Sequence, residues 1–359
     1  MERIKVDMIA STALLCELDH NPYFSPYVVA EEGYAVVVRA LQDKDVYNQL
    51  ETIDGTFHTL RKGVTFVGVL GERQALKGYS GRLPLRVDKG DIINVLNMGG
   101  ILGKCISDHP ELGPALKVEV LGAVMVERDG QFVHARIKDR ALQPLATLED
   151  SAPLVVISGT AMDTGKTLAG CKIIEGLAKR GYRVCAGKLT GASLRRDVRN
   201  MQDHGAIACV TFTDGGIVAS TNKRMAPVAK AMIKHLNTFD PDVIVLEMGD
   251  GFIGYYGVDE LLLDKELQSF TTAHVVTAAD LAGVWAADEV FRNRYKAEIA
   301  VITGPVTDNE VGNRYIEQVL GIRSANAISE PDRLAELVAQ HSLPKPRPVL
   351  SKGVKEIAI

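Results

Sequence analysis

From about residue 152 onward, short continuous apolar runs alternate with stretches whose apolar residues return every three or four positions. Leu154–Ser158, Arg183–Gly187, Ala208–Phe212, Val243–Glu247, His274–Thr277 and Glu298–Thr303 read as strands. Runs such as VIVLE and IAVIT are apolar on both faces, the pattern of strands buried between two layers. Helices are expected near 166–180, 226–237, 256–268, 280–292, 311–319 and 331–341. This alternation predicts a parallel sheet with helices on both sides, with ligands beyond the carboxyl ends of the strands.

The first 145 or so residues follow a different pattern. Val64–Leu70, Asp91–Asn97, Leu116–Leu121 and Phe132–Ile137 read as strands, Val38 to Leu50 as the one helix. Turn glycines punctuate them at Gly78, Gly81, Gly99-Gly100 and Gly103. Short strands with regular turn signals predict a mostly-β unit, a small antiparallel barrel or sandwich. The opening MERIKVDMIASTALLCELDH has acidic residues flanking its apolar stretch and reads as a buried strand, not a signal peptide. The polar segment Thr147–Pro153 marks the boundary. It divides the chain into an accessory or substrate unit, residues 1–148, and an α/β unit, residues 149–345. An irregular tail, 346–359, follows.

With 359 residues the chain is long enough for two cores. Its 41 Lys+Arg stand against 45 Asp+Glu, so no cationic surface for nucleic acid or an anionic membrane is expected. The Arg195-Arg196 pair reads as a solvated helix face. No apolar run approaches the roughly 18 residues of a membrane span. Five scattered cysteines without a CxxC pair predict core thiols in a reducing cytoplasm. The histidines lack zinc-ligand spacing.

The chemistry concentrates in LVVISGTAMDTGKT, residues 154–167: an apolar strand, a glycine-containing loop and then an apolar-periodic helix. This is a phosphate-binding loop, or P-loop. Backbone N–H groups and Gly165 cradle phosphate oxygens, Lys166 supplies charge, the Thr167 hydroxyl ligates Mg²⁺, and the helix adds its positive end. Five residues lie between Gly159 and Gly165 instead of the usual four, with Thr160 where the common pattern has its first glycine. Gly159, Asp163, Thr164, Gly165, Lys166, Thr167 and Leu168 are therefore the expected nucleotide contacts.

The other strand ends add partners. Val243–Glu247 closes on an acidic residue, followed by Met248-Gly249-Asp250-Gly251; Glu247 is expected to hold Mg²⁺ or its water opposite Thr167. Lys188, with Thr190 and Gly191, is placed to meet a transferring phosphoryl group or an anionic substrate, and Asp250 adds a second carboxylate. Asp197, Asp203 and Asp214 compete for a place in the Mg²⁺ shell, and spacing does not choose among them. Gly304, after the last strand, is expected near the base. No NKxD guanine signature follows there, which favours ATP over GTP.

Taken together, these residues resemble dethiobiotin synthetase and the wider class of deviant P-loop NTPases. The resemblance covers roughly residues 153–330. It rests on the Gly159-to-Thr167 loop with Asp163, on Lys188-Leu189-Thr190-Gly191, and on Glu247 to Gly251. It implies activation of a small carboxylate or carbamate by Mg-ATP, followed by amine attack, in a homodimer. Lys166, Lys188 and Glu247 would carry the catalysis. Three features differ: the N-terminal unit has no counterpart, Met162 stands for a threonine, and Leu189 for a proline. An ATP-dependent ligase or kinase-like enzyme acting on a small molecule is the leading expectation. The alternative is a nucleotide-switched ATPase acting on a protein partner through its N-terminal unit. A third option is a P-loop that only senses nucleotide.

Overall fold

The computed structural model describes residues 2–341 and 343–346. Nearly all of the expected irregular tail lies outside them.

The N-terminal strands are β1 (Glu2–Arg3), β2 (Met8–Ile9), β3 (Tyr23–Ser25), β4 (Ala35–Ala40), β5 (Gln49–Glu51), β6 (Phe57–Thr59), β7 (Thr65–Leu70), β8 (Ser80–Arg82), β9 (Ile92–Val95), β10 (Ile101–Ser107), β11 (Lys117–Arg128) and β12 (Gln131–His134). Five of them close a circuit: β11 pairs with β4, β4 with β7, β7 with β10, β10 with β9, and β9 again with β11. The mostly-β unit is thus a small barrel, antiparallel except where β10 and β2 run parallel to β7. Val36, Val38, Phe66, Val95, Leu102 and Val118 come from all five circuit strands and form one buried cluster, the barrel interior.

The expected helix from Val38 to Leu50 is absent: Val38 lies in β4 and Leu50 in β5, with a loop between. The reason lies in Val36-Val37-Val38. These β-branched side chains are buried on both faces of the sheet and favour extended backbone. The N-terminal stretch gives two short strands and a 3-10 helix, Ser11–Cys16, instead of one strand.

The second half contains β13 (Leu154–Gly159), α1 (Lys166–Lys179), β14 (Val184–Thr190), α2 (Arg196–Asp203), β15 (Ala208–Thr211), α3 (Ala226–Asn237), β16 (Val243–Met248), α4 (Val258–Leu263), α5 (Lys265–Phe270), β17 (Thr271–Thr277), α6 (Leu281–Val290), β18 (Val301–Thr303), α7 (Glu310–Tyr315) and α8 (Pro331–Gln340). Its strands form a parallel sheet in the order β15-β14-β16-β13-β17-β18. Leu154 and Val156 point into one core, Val155 and Ile157 into the other. The sheet is therefore buried on both faces, as its apolar runs imply. The chain is a mixed α/β protein: a P-loop parallel-sheet unit preceded by a mostly-β one. None of the described helices is long and apolar enough to cross a membrane.

Two helices depart from expectation. The stretch 256–268 breaks at Asp264, whose side chain accepts from the N–H groups of Glu266 and Leu267 and starts α5. Helix α2 is foreshadowed only by the helix face expected at Arg195-Arg196, with no bounds. Its sequence RDVRNMQD buries only Asp197, Val198 and Met201, too few apolar positions to show a period.

The two halves share a dense seam. Val218 and Ala219 of the second half belong to a core cluster built mainly from the first. Thr12 Oγ1 donates to Ser193 Oγ at 2.9 Å and Asn97 Nδ2 donates to the Ser193 carbonyl at 2.6 Å. Lys223 pairs with Glu32 at 2.6 Å.

Candidate functional site

The phosphate loop joins β13 to α1. Asp163 at φ 60° and Gly165 at φ 87° are both left-handed and wind the chain into the start of the helix. Thr164 is buried; its hydroxyl donates to the Ala161 carbonyl at 3.0 Å and shares a 2.6 Å hydrogen bond with the Thr277 hydroxyl. The Lys166 ammonium donates to the Ala161 carbonyl at 2.6 Å. Burial lowers its pKa, while Glu247 pulls the other way. Gly304 packs behind the loop, leaving no room for a side chain next to the Thr164 carbonyl.

Residues expected from different strands meet here. Thr167 Oγ1 donates to Glu247 Oε1 at 3.0 Å. Lys188 donates to Asp197 and lies 3.7 Å from Glu247 Oε1. Burial raises the Glu247 pKa, with Lys188 opposing it. For Lys188, burial works against the charge, yet Glu247 and Asp197 hold its pKa above the ordinary lysine value. Glu247 Oε2 is buried without a hydrogen-bond partner among the described residues. A hydroxyl and a carboxylate facing each other, with one carboxylate oxygen unsatisfied, form a donor set suited to a hard cation such as Mg²⁺.

A cavity of about 850 Å³ opens between the loop and the barrel. Asp163, Gly165, Lys166, Thr167, Leu168, Lys188, Gly191, Asp197, Glu247 and Asp250 all reach its wall. Asp250, at φ 68°, has its pKa raised by burial, and its Oδ1 is buried without a partner. Gly159, Thr164, Thr190 and Gly304 lie behind that surface as support; Thr190 is fully buried and donates to the Gly249 carbonyl at 3.0 Å. Asp214 is elsewhere. It caps a 3-10 turn through the Thr211 N–H and pairs with Arg195 at 2.9 Å. Of the three candidate aspartates, only Asp197 reaches the cavity.

Arg195 and Arg196 are not a free helix face. Arg195 is tied to Asp214, and Arg196 lies over the Phe57 ring at 5.8 Å from its centroid. The N-terminal half lines the cavity with Tyr47, Arg73, Lys77, Asn97, Met98, His109, Glu111 and Leu112. These residues have no shared motif or period; the chain fold alone brings them together.

No protein-family profile and no curated protein matches the chain. Solved structures give distant likenesses. The Signal Recognition Particle 54 kDa protein from Aeropyrum pernix K1, in complex with GDP, is 16% identical over 54% of this chain and 47% of its own, with a TM-score of 0.35. This chain thus spans about half the length of that protein. Chloroplast FtsY from Physcomitrella patens is 16% identical over 56% of this chain and 70% of its own, TM-score 0.38. The hydrogenase maturation factor HypB from Archaeoglobus fulgidus is 19% identical over 52% of this chain and 76% of its own, TM-score 0.29. Likenesses this remote bear on fold alone.

Proposed function

We propose that this chain binds a magnesium nucleoside triphosphate at the 159–167 loop and cleaves its terminal phosphoryl bond, with the barrel coupled to the state of the nucleotide. The meeting of Thr167, Lys188, Asp197 and Glu247 at the mouth of the loop carries this reading. Thr167 and Glu247 would hold Mg²⁺, with Asp197 close by. The ion, when bound, supplies charge neutralisation on phosphate oxygens. Lys166 neutralises the same phosphates from the loop, and Lys188 meets charge that develops on the transferred group. ATP is the proposed nucleotide, because no guanine signature follows β18. Residues 1–148 and 149–345 are taken as its two units.

Coupling is supported by one connection. The segment 191–197 carries Asp197 into the site, and the N-terminal half grips the same segment through Asn97 and Glu51. A nucleotide that reorganises the Lys188–Asp197 pair would therefore pull on the barrel. A second reading, activation of a small carboxylate or carbamate as dethiobiotin synthetases do, is favoured by the size of the cavity and by the arginine on its barrel wall. The homodimer and the cytoplasmic setting belong to that reading as expectations.

Binding and hydrolysis of ATP and GTP by wild type and Lys166→Ala, with and without Mg²⁺, test the proposal. Mg²⁺-dependent hydrolysis is expected, falling on the order of 10²–10³-fold in the variant. Wild type that binds neither nucleotide would end it. Nucleotide-dependent protease protection at the seam supports the coupled reading. Turnover that requires an added small carboxylate supports the second.

A further inference from the structure

The segment between β7 and β8 carries the barrel's main contribution to the cavity. Arg73 is anchored by two backbone hydrogen bonds with Gly81, its N–H donating at 3.0 Å and its carbonyl accepting at 2.8 Å. Its guanidinium is almost fully buried, yet lies on the cavity wall. Nη1 donates to the Leu96 carbonyl and to the Tyr47 hydroxyl, the latter at 3.1 Å; the Tyr256 hydroxyl is a further hydrogen-bonding neighbour. Nε is buried without a partner. A Cβ on Gly78, at φ 145°, would lie 2.7 Å from Nη2, so the glycine makes room for the group.

The hydrogen-bonding partners of Arg73 are neutral, and the Asp250 carboxylate interacts with it only at longer range. Among the described residues, no carboxylate lies within ion-pairing distance of it. Of the other cavity cations, Lys77 pairs with Asp163 at 3.4 Å, Lys188 with Asp197 and Glu247, and Arg196 with Asp197 at 3.9 Å, while Lys166 belongs to the phosphate loop and donates to the Ala161 carbonyl. Burying an uncompensated cation is costly, and proteins pair such charges. Outside the phosphate loop, Arg73 is left without an ion pair among the described residues, on the wall of a cavity large enough for a small molecule.

We propose that Arg73 is the recognition group for a small monocarboxylate bound in this cavity, across from the phosphate loop. The proposal names the substrate class of the second reading above, but its binding step does not depend on nucleotide. Lys166 faces the nucleotide phosphates, which leaves Arg73 to meet the substrate, and its planar guanidinium suits a carboxylate. Asp250 and Glu111 on the same cavity disfavour a second negative charge.

Calorimetric titration of the full, nucleotide-free chain with acetate, lactate, succinate and inorganic phosphate tests this. The monocarboxylates are expected to bind best, and Arg73→Met to weaken them by about 10-fold or more. Circular dichroism checks the fold. Should Arg73→Met not fold, Arg73→Lys keeps the charge without the planar fork and is expected to show a similar loss. Equal affinity in a folded variant, preference for succinate or phosphate, or no binding to wild type would overturn it. Arg73-dependent carboxylate binding by a chain that binds no nucleotide would leave this inference standing while the phosphate-loop reading falls.

Discussion

The Glu51 carboxylate, at the end of β5 in the two-stranded β5–β6 sheet beside the barrel, accepts a hydrogen bond at 2.6 Å from the backbone N–H of Arg196, the first residue of α2. It also accepts from the Arg195 N–H at 2.8 Å and from the Ser11 hydroxyl. Helix α2 has no capping side chain of its own, so a residue 145 positions earlier does that work. An anion there satisfies orphan N–H groups and complements the helix dipole.

Replacing Glu51 by Ala is expected to cost about 1–3 kcal/mol, because it strands buried donors. Amide exchange should speed up first at residues 193–197, ahead of the rest of the α/β half. Glu51→Gln retains one acceptor and should lose less. A melting temperature unchanged in the alanine variant would show that the contact contributes nothing.

Gly304→Ala should damage nucleotide binding out of proportion to stability. Gly304 sits at φ 98°, and a Cβ would lie 2.6 Å from the Thr164 carbonyl in the phosphate loop. Gly321, at φ 69°, has no heavy atom within 4 Å of the same position. Both substitutions carry a backbone cost of roughly 1–2 kcal/mol. Only Gly304→Ala is expected to weaken nucleotide affinity, by about 10-fold or more given how steeply function depends on placement at such sites. Nucleotide titrations of the two variants side by side decide it; equal affinities would remove Gly304 from the loop's support.

His274 makes stability sensitive to acid. Burial lowers its pKa from 6.5 to about 4. Its Nε2 meets Gln268 at 2.8 Å, and its ring packs edge-on against Phe291. The folded state therefore keeps it neutral, while the unfolded chain takes up a proton below its ordinary pKa. The contribution is intact above pH 6.5 and is lost as pH falls toward 4. By linkage this amounts to about 3 kcal/mol. His274→Gln should flatten the stability curve between those limits, measured by urea unfolding across pH. A curve of unchanged slope would assign the acid sensitivity elsewhere.

The α/β half was largely legible because each strand buries both faces and leaves a continuous apolar run. Lys166, Thr167, Lys188 and Glu247 stood out because strand ends in such a sheet converge. Helix α2 was not legible, since its stability comes from Glu51 across the seam and from burying Val198 and Met201. Val38 to Leu50 misled for the opposite reason: its apolar spacing fitted a helix, while the barrel required the valines as strand. Arg73 gave no signal at all. Its place depends on barrel closure and on the space left by Gly78, which are long-range facts no local pattern carries.

The Glu51 contact also has an order in time. The barrel precedes the α/β half along the chain, so it leaves the ribosome first. When residues 193–197 emerge, the residue that accepts from their backbone has already been made. The α/β half made alone would begin α2 with bare N–H groups and lack the barrel wall that carries Arg73. The start of α2 is therefore written into the first half of the chain, 145 residues before the helix it completes.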